Sequence, residues 1–538
     1  MILGIIHKSN QMSATILSHL ESSGSIISCK EEIIDETVYL NILARCGSSD
    51  REYIVNSPQA IANSLDLNFI QQILSINGIK HENAAGDIIN REYDVLVFEM
   101  STISVKQKIY GKAAAQIKYI EEDQCKKVAD LAKRVIYLMG LDYGMVKIAI
   151  TGARKTRVLS VNTSPLIREK DIKTLLRKLD RIISNIEGME SQEVKMGADP
   201  EFMLANATNG RMIPASQFFP REGTVGCDNI RIPSRQQRPV AELRPKPDYS
   251  PLQLLSNLKQ ALYSASTLSP YRNIKWLAGS QPFGGYSIGG HIHFSNVNLN
   301  NHILRALDNY VGLPLFLIEN QITAVKRRKK YGFLADYRTK DYGGFEYRTP
   351  GSWLVSPEIT TAAFCLGKIV ASNYLHLTRN CFIAVDAQRA FYEGDQDYLR
   401  PLFKDIWADI QNLSMYNSFS EELQFIANMI QNDINWDERV DIRKTWGITN
   451  VSRREYKNAK VPINATTSSS INSNPDRAST SATRRPPINS IRNSNPQPSL
   501  RTVNSENNNG NNRDRRSGSS IRTSNSGPVF TSTHNFHN

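Results

Sequence analysis

Four short stretches constrain this chain more than anything else in it: Asp199-Pro200-Glu201, Glu242-Leu243-Arg244, His291-Ile292-His293 and Glu346-Tyr347-Arg348. Each sets two charged or metal-capable side chains one residue apart. On a β-strand, residues i and i+2 share a face about 6–7 Å apart, so four such strands would gather carboxylates, imidazoles and guanidiniums on one side of a sheet. Burying that many charges without partners is very costly. The face is therefore expected to hold metal ions, a charged ligand or both. Taken singly the pairs have blander readings: a solvated cross-strand ion pair for Glu242/Arg244, an exposed turn for Asp199–Glu201, and core histidines bonded to backbone for the His pair. Their coincidence favours a site.

The 538 residues call for two or three domains, and 40% hydrophobic residues are enough to give them cores. No apolar run approaches the ~20 residues of a membrane span, and Met1–His7 reads as a first strand, not a leader peptide. Cys29, Cys46, Cys125, Cys227, Cys365 and Cys381 form no CxxC pair and are expected to be reduced, isolated thiols of a cytoplasmic protein. The net charge of +13 is concentrated at the end: residues 457–538 hold eleven Lys/Arg and three Asp/Glu, leaving +5 for the rest. That Asn/Ser/Arg-rich segment buries too little apolar surface to offset its ordering entropy. It is expected to be a disordered basic tail over 455–538, a solubilising tether or a contact for an anionic polymer.

Residues 1–189 read as α/β. Asp94–Phe98, Met145–Ile150 and Arg157–Val161 are strand-like, and Val128, Leu131, Ala132, Val135, Ile136 and Met139 recur at helical spacing before Gly140. A second amphipathic helix spans 172–186. The stretches Val55-Asn56-Ser57-Pro58-Gln59, Gly140-Leu141-Asp142 and Val158-Leu159-Ser160-Val161-Asn162 resemble the opening and closing segments of ATP-grasp ligases. The resemblance implies a nucleotide fold, but its acids are missing: Asp66-Leu67-Asn68 replaces Asp-Lys, Ser160 replaces the magnesium carboxylate, and Lys147 takes another acidic place. The segment between 82 and 121 is also short for a nucleotide clamp. The expectation is a degenerate ATP-grasp-like remnant used for docking or assembly.

Residues 194–448 alternate strands with helical insertions, including the capped starts Ser250-Pro251 and Ser356-Pro357. This order predicts α+β with a curved, mostly antiparallel sheet. Gly197-Ala198-Asp199-Pro200-Glu201-Phe202, Ala241-Glu242-Leu243-Arg244-Pro245, Gly289-Gly290-His291-Ile292-His293-Phe294 and Tyr337-Arg338 ahead of Phe345-Glu346-Tyr347-Arg348 resemble, in order, the phage-type carboxylate–amine ligases (amidoligases) of the glutamine synthetase and glutamate–cysteine ligase fold. The resemblance implies ATP, Mg²⁺ or Mn²⁺, and amide-bond formation through an acyl phosphate on a small amino acid, peptide or wall-related substrate. It implies that Glu201 and Glu242 hold a substrate-side ion while Asp199, His291 and Glu346 hold a nucleotide-side ion. Arg338 and Arg348 become candidates for phosphate transfer and carboxylate binding, with Arg244 beside them. Gly289 and Gly290 would allow close backbone approach, and His293 is a ligand, a phosphate contact or a support. Homo-oligomers are expected to be open to such a fold. Arg231, Arg235 and Arg238 are candidates for a substrate loop. The run Lys326–Lys330 reads as a solvated helix end.

Two readings of other classes stand beside this one. Gly285 to His291 also fits the Gly-x5-His-x-His spacing of a cupin-like metal enzyme, though no acid follows in Ser295–Leu299. A non-catalytic scaffold tethered by its basic tail is the other.

Overall fold

The computed structural model describes residues 1–46, 51–81, 88–111, 114–152, 155–188, 192–233, 235–448 and 454–456. The proposed tail from 457 onward lies outside them, as does the centre of the polar link at 189–191. Three sheets follow one another along the chain. The first contains β1 (Ile2–Lys8), β2 (Ser25–Ile34), β3 (Thr37–Arg45) and β4 (Glu52–Val55) in the order β2-β3-β1-β4, with β1 parallel to β4. Met1–His7 is thus a strand start, with Leu3, Ile5 and Ile6 buried.

The second sheet is antiparallel throughout: β5 (Ile89–Phe98), β6 (Ser101–Ile109), β7 (Gln116–Ile120), β8 (Tyr143–Thr151) and β9 (Thr156–Asn162), in the order β7-β6-β5-β8-β9. The helix Lys126–Leu138 covers it with Val128, Ala132, Val135 and Ile136, four of the six anticipated from periodicity; Leu131 is half-buried and Met139 is the residue that caps the helix. Gly140 sits at φ 75° just past its end, a left-handed conformation that costs glycine little and ends the helix. Lys147 pairs with Asp94 at 3.4 Å.

The third sheet is organised on β10 (Lys195–Asn206). It includes β11 (Met212–Ile213), β12 (Val225–Cys227), β13 (Val240–Leu243), β14 (Ile274–Leu277), β15 (Gly290–Ser295), β16 (Tyr337–Thr339) and β17 (Phe345–Tyr347). All its pairings are antiparallel. Alternation divides its two faces. Met196, Phe202, Leu204, Ile292, Phe294, Phe345 and Tyr347 are buried in the core, where the helix Pro357–Asn373 passes so close that a Cβ on Gly367 would meet Met196 and Phe294. The opposite parity faces the other way and carries Asp199, Glu201, Glu242, His291, His293 and Glu346, with a small apolar cluster of Met203, Val240 and Ile288.

Residues 1–459 make one closely connected unit, and buried polar contacts join its halves. Asp308 accepts from the hydroxyls of Tyr137 (2.8 Å), Tyr347 (2.8 Å) and Thr349 (3.2 Å) and from the Ala335 amide (2.7 Å). Nearby, Arg305 pairs with Asp142 at 2.7 Å, and the Asn301 amide donates to Glu99 at 2.6 Å. The basic run at 326–330 differs from the expectation. Arg327 and Arg328 are buried: Arg327 donates to the carbonyls of Thr349 and Arg348 at 2.7 and 2.9 Å, and Arg328 pairs with Glu319 between the rings of Phe316 and Phe391. Guanidinium faces tolerate such apolar surroundings when the edge is paired, so these two arginines are packing, while Lys326, Lys329 and Lys330 are exposed as expected. Among the described residues no helix is long and apolar enough to cross a membrane, and all six cysteines are free thiols.

Candidate active site

The register of the third sheet does what the i, i+2 spacing alone left open. Asp199 lies opposite His291, Glu201 opposite Glu242, His293 opposite Glu346, and Glu346 opposite Arg338. Directly opposed residues of antiparallel strands share a face, so five segments spread over 150 residues deliver their charges to one patch. Asp199, Glu201, Glu242, His291 and Glu346 are all buried, Glu346 completely.

The contacts are close. His291 Nδ1 lies 3.0 Å from Asp199 Oδ1 and 3.1 Å from Glu346 Oε1, while His293 Nε2 lies 3.0 Å from Asp199 Oδ2. Ligand atoms of Asp199, His291 and Glu346 all fall within 4.8 Å of one another, a span that one divalent ion can bridge. On the other side of Glu346 stand cations: Lys340 Nζ at 2.6 Å, Arg348 Nε at 3.5 Å and Arg338 Nη1 at 3.6 Å. Both Glu346 oxygens are nonetheless buried without a well-formed hydrogen bond. An oxygen pair left in that condition, in a set of hard O and N donors, fits a metal ligand. Glu201 accepts from the Gly289 amide at 2.7 Å, and Glu242 is in contact with Arg244.

Electrostatics separates the acids. Burial raises the Asp199 carboxyl, but the His291 and His293 imidazoles reverse this and hold it well below the ordinary carboxylate range. Burial pushes Glu201 up to about 7 and Glu242 up to about 8, in the latter case outweighing Arg244. Burial and the Asp199 charge act to raise Glu346, yet His291, Lys340 and Arg348 leave it lowered. Burial depresses His291, and its Asp199 partner more than compensates. A patch with two acids this reluctant to ionise is short of positive charge.

The patch opens into a cavity of about 690 Å³ bordered by Asp199, Asp228, Glu242, Arg244, His293 and Arg338 among others, within the size range of ligand pockets. Arg338 reaches over it with a side chain 58% exposed, whereas Arg348 is mostly buried between Glu346 and Asp336. The glycines have a packing role: a Cβ on Gly289 would strike the His291 ring, and one on Gly290 the Trp353 indole and the Gly351 carbonyl. His293 is held between Asp199 and the Tyr342 hydroxyl, 3.3 Å from its Nδ1. Arg238 is spent on the carbonyls of Asp228 and Asn229.

Sequence reasoning missed Lys340, Asp228, Asp336 and Tyr342. Lys340 was within reach, since it follows Arg338 by two residues, the same spacing that flagged the other pairs. Asp228 sits in the loop after β12 and carries no local signal.

Residues 196–448 match the model of the family described as "Phage phiEco32-like COOH.NH2 ligase-type 2". No curated protein matches the sequence. Partial structural likenesses include the ATP-grasp ligase PsnB complexed with a minimal precursor, at 18% identity, TM-score 0.21, 24% of this chain and 64% of that one. PsnB complexed with precursor peptide PsnA2 and AMPPNP gives 14%, TM-score 0.25, 34% and 97%. A bifunctional glutathione synthetase from Pasteurella multocida gives 12%, TM-score 0.31, 49% and 53%. This chain thus spans 64% of the first of these structures, and superpositions this partial carry nothing about activity. The stretch that gathers these acids and imidazoles on one sheet face, residues 196–448, is thus similar over its whole length to the phage phiEco32-like carboxylate–amine ligases of type 2.

Proposed function

We propose that this domain uses ATP to join a carboxylate to an amine. The observation that carries the reading is the convergence of Asp199, His291 and Glu346 with Glu201 and Glu242 on one buried face beside Lys340, Arg348 and Arg338. A substrate carboxylate oxygen attacks the γ-phosphorus of ATP, the bond to the bridging oxygen breaks, and ADP departs. The amine lone pair then attacks the acyl carbon, the bond to the phosphate oxygen breaks, inorganic phosphate leaves with the electron pair, and the nitrogen loses a proton. Divalent ions supply neutralisation of the phosphate charge in such chemistry. Asp199, His291 and Glu346 would hold one on the nucleotide side, and Glu201 with Glu242 one on the substrate side.

The remaining residues orient and balance charge. Arg338, over the cavity, suits the moving phosphoryl group, and Arg348 suits the substrate carboxylate, because a planar guanidinium grips two oxygens at once. Lys340 keeps Glu346 ionised, and His293 supports Asp199. The substrate is a free amino acid, a peptide or a wall precursor. Residues 1–189 serve as a docking scaffold derived from an ATP-grasp fold, and the free thiols fit work in the reducing cytoplasm.

The test is ADP release with Mg²⁺ across a panel of amino acids and peptides, with mass detection of the conjugate. A conjugate one water lighter than its parts is expected, and Glu346→Ala should abolish it while leaving the protein folded. Normal turnover by that variant would refute the assignment.

A further inference from the structure

The catalytic sheet ends in a strand whose outer edge is unpaired. β16 pairs only with β17 among the described residues. Asp336 and Lys340 direct their main-chain groups toward β17, the Arg348 amide donating to the Asp336 carbonyl at 2.8 Å and the Lys340 amide to the Gly344 carbonyl at 2.9 Å. Because main-chain groups alternate along a strand, the N–H and C=O of Tyr337 and Thr339 point away from the sheet. None of them finds a partner among the described residues. Proteins ordinarily cover or blunt such an edge, since it is a template for another strand.

Here the edge borders space. A cavity of about 800 Å³ is walled on one side by Phe333, Ala335, Tyr337, Arg338 and Thr339, and on the other by residues from β6, the helix Lys126–Leu138 and Lys178. Five basic side chains, Lys126, Lys133, Arg134, Lys178 and Arg338, line it against three acidic ones. Lys133 is taken up by Glu122 and Asp130, and Arg134 lies over the Phe333 ring; among the described residues Lys126 makes no ion pair. Arg338 borders both this cavity and the reaction cavity. One side chain therefore touches both spaces.

We propose that an extended, acidic peptide adds to the free edge of β16 as a further strand, and that its reacting carboxylate passes Arg338 into the reaction cavity. This rests on the ligase reading above and makes the substrate a polypeptide, with the 1–189 half forming the far wall of its groove. Main-chain bonds to Tyr337 and Thr339 give affinity without demanding a sequence, and the basic wall selects acidic side chains.

The experiment measures binding apart from chemistry. Fluorescent, end-blocked octapeptides alternating glutamate with threonine, serine or valine are titrated into the full chain, with hydrogen exchange followed across 333–342. Binding that slows exchange of the Tyr337 and Thr339 amides is expected. Thr339→Pro, which removes one outward N–H, and the exposed charge reversal Lys126→Glu should each weaken it about tenfold, the scale of one lost hydrogen bond or ion pair. Replacing glutamate by lysine in the probes should abolish it. Absence of binding, binding without protection at those amides, or affinities unchanged in both variants would overturn the proposal. Failure of the ligase reading would instead appear as no conjugate formed by the parent chain, or as normal turnover by Glu346→Ala, with docking of the probes intact.

Discussion

Glu201→Gln should make the ligand-free protein more stable and, at the same time, inactive. Glu201 is buried, and burial is what pushes its carboxyl up to about 7. In the unfolded chain the group titrates at an ordinary value near 4.5. A folded value above the unfolded one means that folding favours the protonated acid: its contribution is whole below about 4.5, fades as pH rises through about 7, and is gone above it. The gap corresponds to about 3 kcal/mol against the folded state at pH 8. Glutamine is isosteric and uncharged, and its carbonyl can still accept from the Gly289 amide, 2.7 Å from Oε2 in the parent. The variant should therefore match the parent near pH 4.5 and exceed it by up to about 3 kcal/mol near pH 8, a gain of several degrees in Tm for a chain of this size. Differential scanning fluorimetry in EDTA from pH 5 to 8.5 reads this directly. Added Mg²⁺ should raise the Tm of the parent by filling the charge deficit and leave the variant nearly unmoved. A variant less stable than the parent at every pH, or an equal Mg²⁺ response in both, would refute the view that Glu201 is held in place for function at a cost in stability.

Other outcomes follow from named contacts. Lys340→Ala should lower kcat/KM for conjugate formation by about a hundredfold, because Glu346 loses its nearest cation; steady-state kinetics with a normal melting curve would check it. Asp308→Ala should destabilise the protein by about 3 kcal/mol or more, since the Ala335 amide and two tyrosine hydroxyls are left buried and unbonded. Denaturant unfolding monitored by tyrosine and tryptophan fluorescence reads that loss. In Asp308→Asn the hydroxyls can reorient, so about half the loss should return.

Much of this architecture was legible beforehand where the signal is local. The helix over Lys126–Leu138 follows from apolar spacing and a terminating Gly140, and the helices at Pro251 and Pro357 from Ser-Pro starts whose Ser250 and Ser356 hydroxyls do accept from Gln253 and Ile359 amides. Within the site, Asp199, Glu201, Glu242, His291, Glu346 and Arg338 were nominated from spacing and resemblance, and the structure brings them to one face. Arg327 and Arg328 were misjudged because a run of cations looks solvated until its carbonyl, carboxylate and aromatic partners, from segments elsewhere in the chain, are known. Gly289 and Gly290 were marked for ligand approach, whereas what crowds them is the His291 ring and Trp353.

What the sequence by itself determined is parity: side chains two apart on a strand share a side, so the charged members of each motif had to face away from the apolar residues between them. What only the tertiary structure decided is register. Asp199 meets His291, and His293 meets Glu346, because β10, β15 and β17 are hydrogen-bonded in one alignment out of many, and a slip of one residue would send every acid into the core. That alignment is set by packing of the opposite face against the helix Pro357–Asn373, a sum over residues far apart in the chain that no short stretch encodes. The same long-range packing leaves the outer edge of β16 bare and sets the basic wall from the first half beside it.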